Sequence, residues 1–152
     1  MARKHVIARG RGRDVDSTNT AGLVDSQLEI FVLEDHEDTT SVLCGLLLDW
    51  GHAVRDASSV GEAMQALIAR RADVFLCDIR LPDGDGCELL QTLGLAAPPF
   101  AIAMSGFGTP ADNARSLSAG FRRHLVKPFE MDELRALLCE AAVELGRENP
   151  TI

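Results

Sequence analysis

From Leu28 onward, short apolar runs alternate with stretches of helical period, and this alternation constrains the fold more than any other feature. Leu28-Glu29-Ile30-Phe31-Val32-Leu33 reads as a strand ending in Glu34-Asp35. Val42, Leu43, Leu46, Leu47 and Trp50 follow at helical spacing, stopped by Gly51. Ala53-Val54-Arg55 reads as a shorter strand. Ser59 and Glu62 form a capping box for a helix with Ala63, Met64, Leu67 and Ile68 on one face. Asp73-Val74-Phe75-Leu76-Cys77-Asp78 is the third strand, and a short helix runs through Leu89, Leu90 and Leu93. Beyond Pro98-Pro99, Phe100-Ala101-Ile102-Ala103-Met104 forms a strand closed by Ser105-Gly106. Thr109-Pro110 starts a helix carrying Ala114 and Leu117 that stops at Gly120. His124-Leu125-Val126 leads into Lys127-Pro128, and a last helix sets Leu134, Leu137, Leu138, Ala141 and Leu145 on one face.

Short strands alternating with amphipathic helices predict an α/β domain whose parallel sheet is covered on both faces, with right-handed crossovers. At 152 residues the chain fits one such domain with a single core. Its expected extent is 28–146, between a basic, disordered N-terminal tail over 1–27 and a C-terminal tail over 147–152.

The net charge of −8 hides a split. Residues 1–13 hold five basic residues and no acid, so the remainder carries 23 acids against 10 bases. An acidic body disfavours nucleic-acid binding by the domain itself and suits carboxylates gathered around a cation. No apolar run approaches the roughly 18 residues a membrane helix needs, and the N-terminus lacks the apolar stretch of a secretory signal. Cys44, Cys77, Cys87 and Cys139 contain no CxxC and read as reduced thiols of a cytoplasmic protein. His5, His36, His52 and His124 show no ligand spacing.

Four of the five strands end in polar residues: Glu34 and Asp35, Asp78, Ser105, and Lys127. A parallel sheet brings all its carboxyl ends to one edge, so these residues are expected to converge there. Asp78 is then either a phosphate acceptor or a strand-capping acid. Crowded carboxylates repel, by about 4 kcal/mol for a pair about 4 Å apart at an effective dielectric near 20. Lys127 offsets one charge, and a hard divalent ion with oxygen ligands offsets more. A carboxylate nucleophile, a metal, a hydroxyl and a lysine are the parts that phosphoryl transfer to Asp requires.

The motifs Val32-Leu33-Glu34-Asp35, Leu76-Cys77-Asp78-Ile79-Arg80-Leu81-Pro82-Asp83-Gly84-Asp85-Gly86, Met104-Ser105-Gly106 and Leu125-Val126-Lys127-Pro128-Phe129 resemble the receiver domain of two-component response regulators. Single-domain regulators and the receivers of hybrid histidine kinases are the nearest match in style. The resemblance implies a flavodoxin-like (βα)5 three-layer sandwich with sheet order 2-1-3-4-5. It implies that Asp78 accepts a phosphoryl group from a histidine kinase or phosphotransfer protein. Asp35, Asp78 and the backbone carbonyl of Arg80 would hold Mg²⁺, with Glu34 acting through water. Ser105 and Lys127 would grip phosphoryl oxygens. The output would pass to a downstream protein through the face of helix four, strand five and helix five, with a homodimer as a further expectation. No multiple-turnover enzyme activity is expected.

The chain departs from the family at His124, where a Tyr or Phe switch residue is usual, and at Ser105, where Thr is commoner. His36 stands beside the pocket, and Arg80 and Phe107 flank the acceptor. Two other readings stay open here. A haloacid-dehalogenase-type hydrolase also uses an aspartate nucleophile, but wants a second Asp where Arg80 stands. A pseudo-receiver would serve only as a protein-interaction module.

Overall fold

A computed structural model describes residues 27–95, 97–106 and 108–146. The expected N-terminal tail, apart from Gln27, and the C-terminal tail lie outside the described residues. Five parallel strands form the sheet: β1 Glu29–Leu33, β2 Ala53–Ala57, β3 Val74–Asp78, β4 Phe100–Ser105 and β5 Arg123–Val126. Their order is β2-β1-β3-β4-β5, the flavodoxin-like order the resemblance implied. The helices are α1 Glu37–Asp49, α2 Val60–Ala69, α3 Gly86–Leu93, α4 Pro110–Ala119 and α5 Met131–Glu144. Between β3 and α3, Arg80–Leu81 and Gly84–Asp85 pair as a small antiparallel hairpin.

Because side chains alternate across a strand, the sheet feeds two cores. On one face Ile30, Val32, Val74, Leu76, Ile102 and Met104 pack with Leu43 and Leu47 of α1 and Leu134 and Leu138 of α5. On the other, Phe31, Leu33, Phe75, Cys77, Ala101 and Ala103 pack with Ala63 and Leu67 of α2 and Leu89 of α3. Phe75 links Phe31 and Phe121, with ring centroids 6.1 and 6.4 Å away. All five residues of β3 are buried, as the central strand of a doubly covered sheet requires. Each fully buried Leu or Ile contributes roughly 1.5–3 kcal/mol, and removal leaves a void, so this frame holds the strand ends firmly.

Several helix faces differ from the sequence reading. Val42 is 72% exposed, because α1 buries Thr40, Leu43, Cys44 and Leu47 instead. That stripe follows the i, i+3, i+4, i+7 rule, but it includes a threonine and a cysteine that an apolar count passes over. Ile68 of α2 and Leu145 after α5 are also exposed. In α4, Ala114 and Leu117 face outward and the helix buries Ser116 and Ala119. The predicted caps hold: Ser59 Oγ accepts from Glu62 N at 3.2 Å, and Thr109 Oγ1 accepts from Asp112 N at 3.1 Å. Glu62 accepts from Ser58 N rather than closing the box on Ser59.

Cys44, Cys77 and Cys87 are buried, Cys139 is half-buried, and all four are free thiols. Among the described residues no helix is long and apolar enough to cross a membrane.

Candidate functional site

Parallel strands deliver their carboxyl ends to one edge, and hydrogen bonds there fix the residues that follow. Ile79 N donates to Met104 O at 3.1 Å, and Lys127 N donates to Ser105 O at 2.7 Å. Gly86 N donates to Ile79 O at 2.9 Å, folding the hairpin back over β3. At Gly86 a Cβ would lie 2.6 Å from Cys77 Sγ and 3.0 Å from the Asp78 carbonyl, so only glycine permits this approach.

Glu34, Asp78 and Lys127 meet in direct contact, and Ser105 ends β4 at the same sheet edge. Glu34 is fully buried, and Asp78 is 7% exposed. Lys127 Nζ donates to Glu34 Oε1 at 2.6 Å and to Asp78 Oδ2 at 3.3 Å, so one ammonium spans two carboxylates. The other Asp78 oxygen accepts from Arg80 N at 3.2 Å. Asp35 stands at the rim, with 22% of its side chain exposed. His36, also at the rim, places Nδ1 3.1 Å from Glu34 Oε2 and 3.5 Å from Asp35 Oδ1.

The two inner carboxylates differ electrostatically. Burial pushes the Glu34 pKa up, but the Lys127 hydrogen bond and charge, with His36, outweigh it and hold the acid below its ordinary value. Burial pushes the Asp78 pKa up too, Glu34 adds to the rise, and the looser Lys127 contact leaves it raised. Burial lowers Lys127, yet the bonds to Glu34 and Asp78 more than reverse this and raise it. Glu34 is therefore the lysine's closer ion-pair partner, and Asp78 is the more basic of the two carboxylates. The Glu34 hydrogen bond raises His36, with the Asp35 charge adding to it.

The donor set fits a hard divalent ion. Glu34 and Asp78 share the ammonium of Lys127, and Asp35 adds a third carboxylate at the rim, so charge remains to be neutralised. One ligand atom each from Glu34, Asp35 and His36 already lies within 4.8 Å of the others. Carboxylate and carbonyl oxygens suit Mg²⁺, whereas imidazole suits softer metals, so by ligand type Asp78 would fit such an ion better than His36.

Ser105 is 2% exposed, and its hydroxyl lies 2.7 Å from Nε2 of half-buried His124. The other ring nitrogen, Nδ1, lies 3.3 Å from Ser116 Oγ on α4. Sequence reasoning missed Ser116, a serine within a polar helix that carries no local signal. It also missed two ties to α4, Arg80 to Asp112 at 3.3 Å and Arg115 to Asp85 at 2.5 Å. Asp83, read only as part of a turn, accepts from Val60 N at 3.0 Å and Gly61 N at 3.3 Å at the start of α2. Phe107 lies outside the described residues. Next to Lys127 a groove of about 960 Å³ opens, lined by Val42, Leu46, Met104, Pro128, Phe129 and Met131 among others.

Known proteins share this architecture. Over 116 residues the chain is 30% identical to the transcriptional regulatory protein ZraR of Klebsiella oxytoca, covering 76% of this chain but 26% of that protein. Over 127 residues it is 36% identical to the sensor histidine kinase AruS of Pseudomonas aeruginosa, covering 79% of this chain and 12% of the kinase. The chain thus spans a minor part of each of these relatives. The solution structure of the beryllofluoride-activated NtrC4 receiver domain dimer matches with a TM-score of 0.70 at 25% identity, covering 76% of this chain and 96% of that one. The response regulator receiver domain model matches residues 30–139. With the sheet order and the convergent strand ends, that match means the chain belongs to the response regulator receiver domain family of two-component systems.

Proposed function

We propose that Asp78 accepts a phosphoryl group from the phosphohistidine of a histidine kinase or phosphotransfer protein. The observation that carries this reading is the shared edge of Asp78, Glu34 and Lys127, with one ammonium bridging two buried carboxylates. An Asp78 oxygen attacks phosphorus, the bond from phosphorus to the donor imidazole breaks, and the imidazole leaves with the electron pair. Lys127, already in contact with Asp78, is placed to meet the incoming phosphoryl oxygens, and Ser105 sits on the adjoining strand end to donate a hydroxyl. Asp35, Asp78 and the Arg80 carbonyl would hold Mg²⁺, with Glu34 acting through water. When bound, the ion supplies positive charge against the phosphoryl oxygens. The groove between α1 and the loop after β5 gives the donor protein an apolar seat that reaches Lys127.

The product adds up to about two negative charges at the sheet edge. Ser105 turning toward them would shift the end of β4 and bias the surface of α4, β5 and α5, where Leu117 and Val126 are exposed. A downstream protein, or a second copy of the chain, reads that surface. The domain is a phosphoacceptor and turns over no outside substrate.

Incubation with acetyl phosphate and Mg²⁺ should add one phosphoryl group by intact mass. Asp78→Asn and Asp78→Ala should abolish it. Persistent Mg²⁺-dependent labelling of Asp78→Ala would overturn the assignment. Wild-type protein that binds no Mg²⁺ at millimolar concentration would instead be a pseudo-receiver.

A further inference from the structure

The two serines that touch His124 determine which of its nitrogens carries the proton. Ser116 Oγ donates its one hydrogen to the Asn113 carbonyl at 3.0 Å, a helical back-bond. It can then only accept from the ring, so Nδ1 of His124 is the protonated nitrogen. In the neutral imidazole Nε2 is consequently bare, and it accepts the Ser105 hydroxyl hydrogen at 2.7 Å. A path of three side chains thus runs from the edge of the acceptor site to the middle of α4.

We propose that His124, in the resting domain, holds the Ser105 hydroxyl hydrogen away from Asp78, and that protonation of His124 releases it for a phosphoryl oxygen. The inference rests on the phosphoacceptor reading of Asp78 and gives the atypical switch residue a hydrogen-bonding task that a Phe cannot perform. An imidazolium donates from both nitrogens, so Ser105 Oγ becomes its acceptor and the ring no longer holds the hydroxyl hydrogen. With a neutral ring, Ser105 must abandon a short bond to reach the phosphoryl group and leaves a half-buried Nε2 without its donor.

The surroundings favour a neutral ring at rest. Burial lowers the His124 pKa, and Asp112 on α4 opposes that shift. Asp112 is itself paired with Arg80. Just after β5, Lys127 turns to Glu34 and Asp78, and on β5 Arg123 turns to Glu140. A phosphoryl group that draws Ser105 away then favours the charged ring. By linkage it raises the His124 pKa, and lower pH tightens phosphoryl binding.

Long-range ¹H–¹⁵N correlation on the resting protein should show His124 protonated at Nδ1 and bare at Nε2. Ser116→Ala removes the acceptor for Nδ1–H and should shift the ring toward the Nε2–H tautomer. Beryllium fluoride with Mg²⁺ serves as the phosphoryl stand-in. Its affinity for wild type relative to His124→Phe should rise about threefold or more from pH 8 to pH 6, and the His124 pKa should rise on binding. His36 titrates in both proteins and cancels in the ratio. A resting Nε2–H tautomer, or a flat ratio across that range, overturns the proposal. Labelling of Asp78→Ala would overturn the acceptor reading and with it the release role, while the resting tautomer measurement would stand by itself.

Discussion

The two ends of the parallel sheet solve the same problem in opposite ways. At the amino end, the first strand amides need acceptors, and neutral or rim groups supply them. His52 Nδ1 accepts from Leu28 N at 3.1 Å, and Asp73 Oδ2 accepts from Glu29 N at 2.8 Å. Burial drives the His52 pKa down to about 4, so the ring stays uncharged and the end is closed. At the carboxyl end, fully buried Glu34 and nearly buried Asp78 keep ionisable carboxyls out of water against one lysine. Charges gathered where hydration is poor are poised to respond to another charge. At the amino end the buried ring is uncharged and its amide is satisfied, so that end serves to hold the frame.

The largest expected effect tests the charged end. Lys127→Met leaves Glu34 buried beside Asp78 without its main counter-charge, which should lower stability by about 3–5 kcal/mol in urea denaturation without divalent ions. An unchanged midpoint would show that the lysine does not hold this edge together.

The next tests the neutral end. A histidine with a folded pKa near 4 and an unfolded one near 6.5 binds fewer protons when folded. Its stabilisation is complete above the unfolded value and is lost as pH falls through 6.5 toward 4, on the order of 3 kcal/mol. His52→Gln keeps an acceptor for the Leu28 amide and should flatten that part of the pH–stability curve. An identical slope would place the acid sensitivity elsewhere.

A smaller effect separates the ends by metal. Mg²⁺ at ten times its dissociation constant should add about 1.4 kcal/mol to stability. Asp35→Asn should remove most of that gain, while His52→Gln should retain it. The smallest prediction concerns a carboxylate at the responsive end whose work is structural. Asp83→Ala deprives the first α2 amides of their acceptor and should lower stability by about 1 kcal/mol, with acetyl phosphate labelling intact.

Much of this was legible in the residues. Strand and helix order followed from periodicity, because period two and period 3.6 are local properties of the chain. Convergence of Glu34, Asp78, Ser105 and Lys127 followed from parallel topology alone. Helix faces were harder to read. In α1 the buried stripe includes Thr40 and Cys44, and in α4 it includes Ser116, so counting apolar residues placed Val42 and Leu117 inward when they face out. His124 was visible as a departure from the family pattern, but its partners were not.

By itself, then, the sequence determined the alternation of elements, the parallel sheet and the set of polar residues at its carboxyl edge. Each depends on neighbours a few residues apart or on a rule common to all parallel sheets. Only the tertiary structure decided that Lys127 pairs more tightly with Glu34 than with Asp78, across 93 and 49 positions of chain. Only it set Ser105 and Ser116 on opposite nitrogens of His124. Such partnerships depend on side-chain directions fixed by packing between distant elements, and no local pattern encodes them.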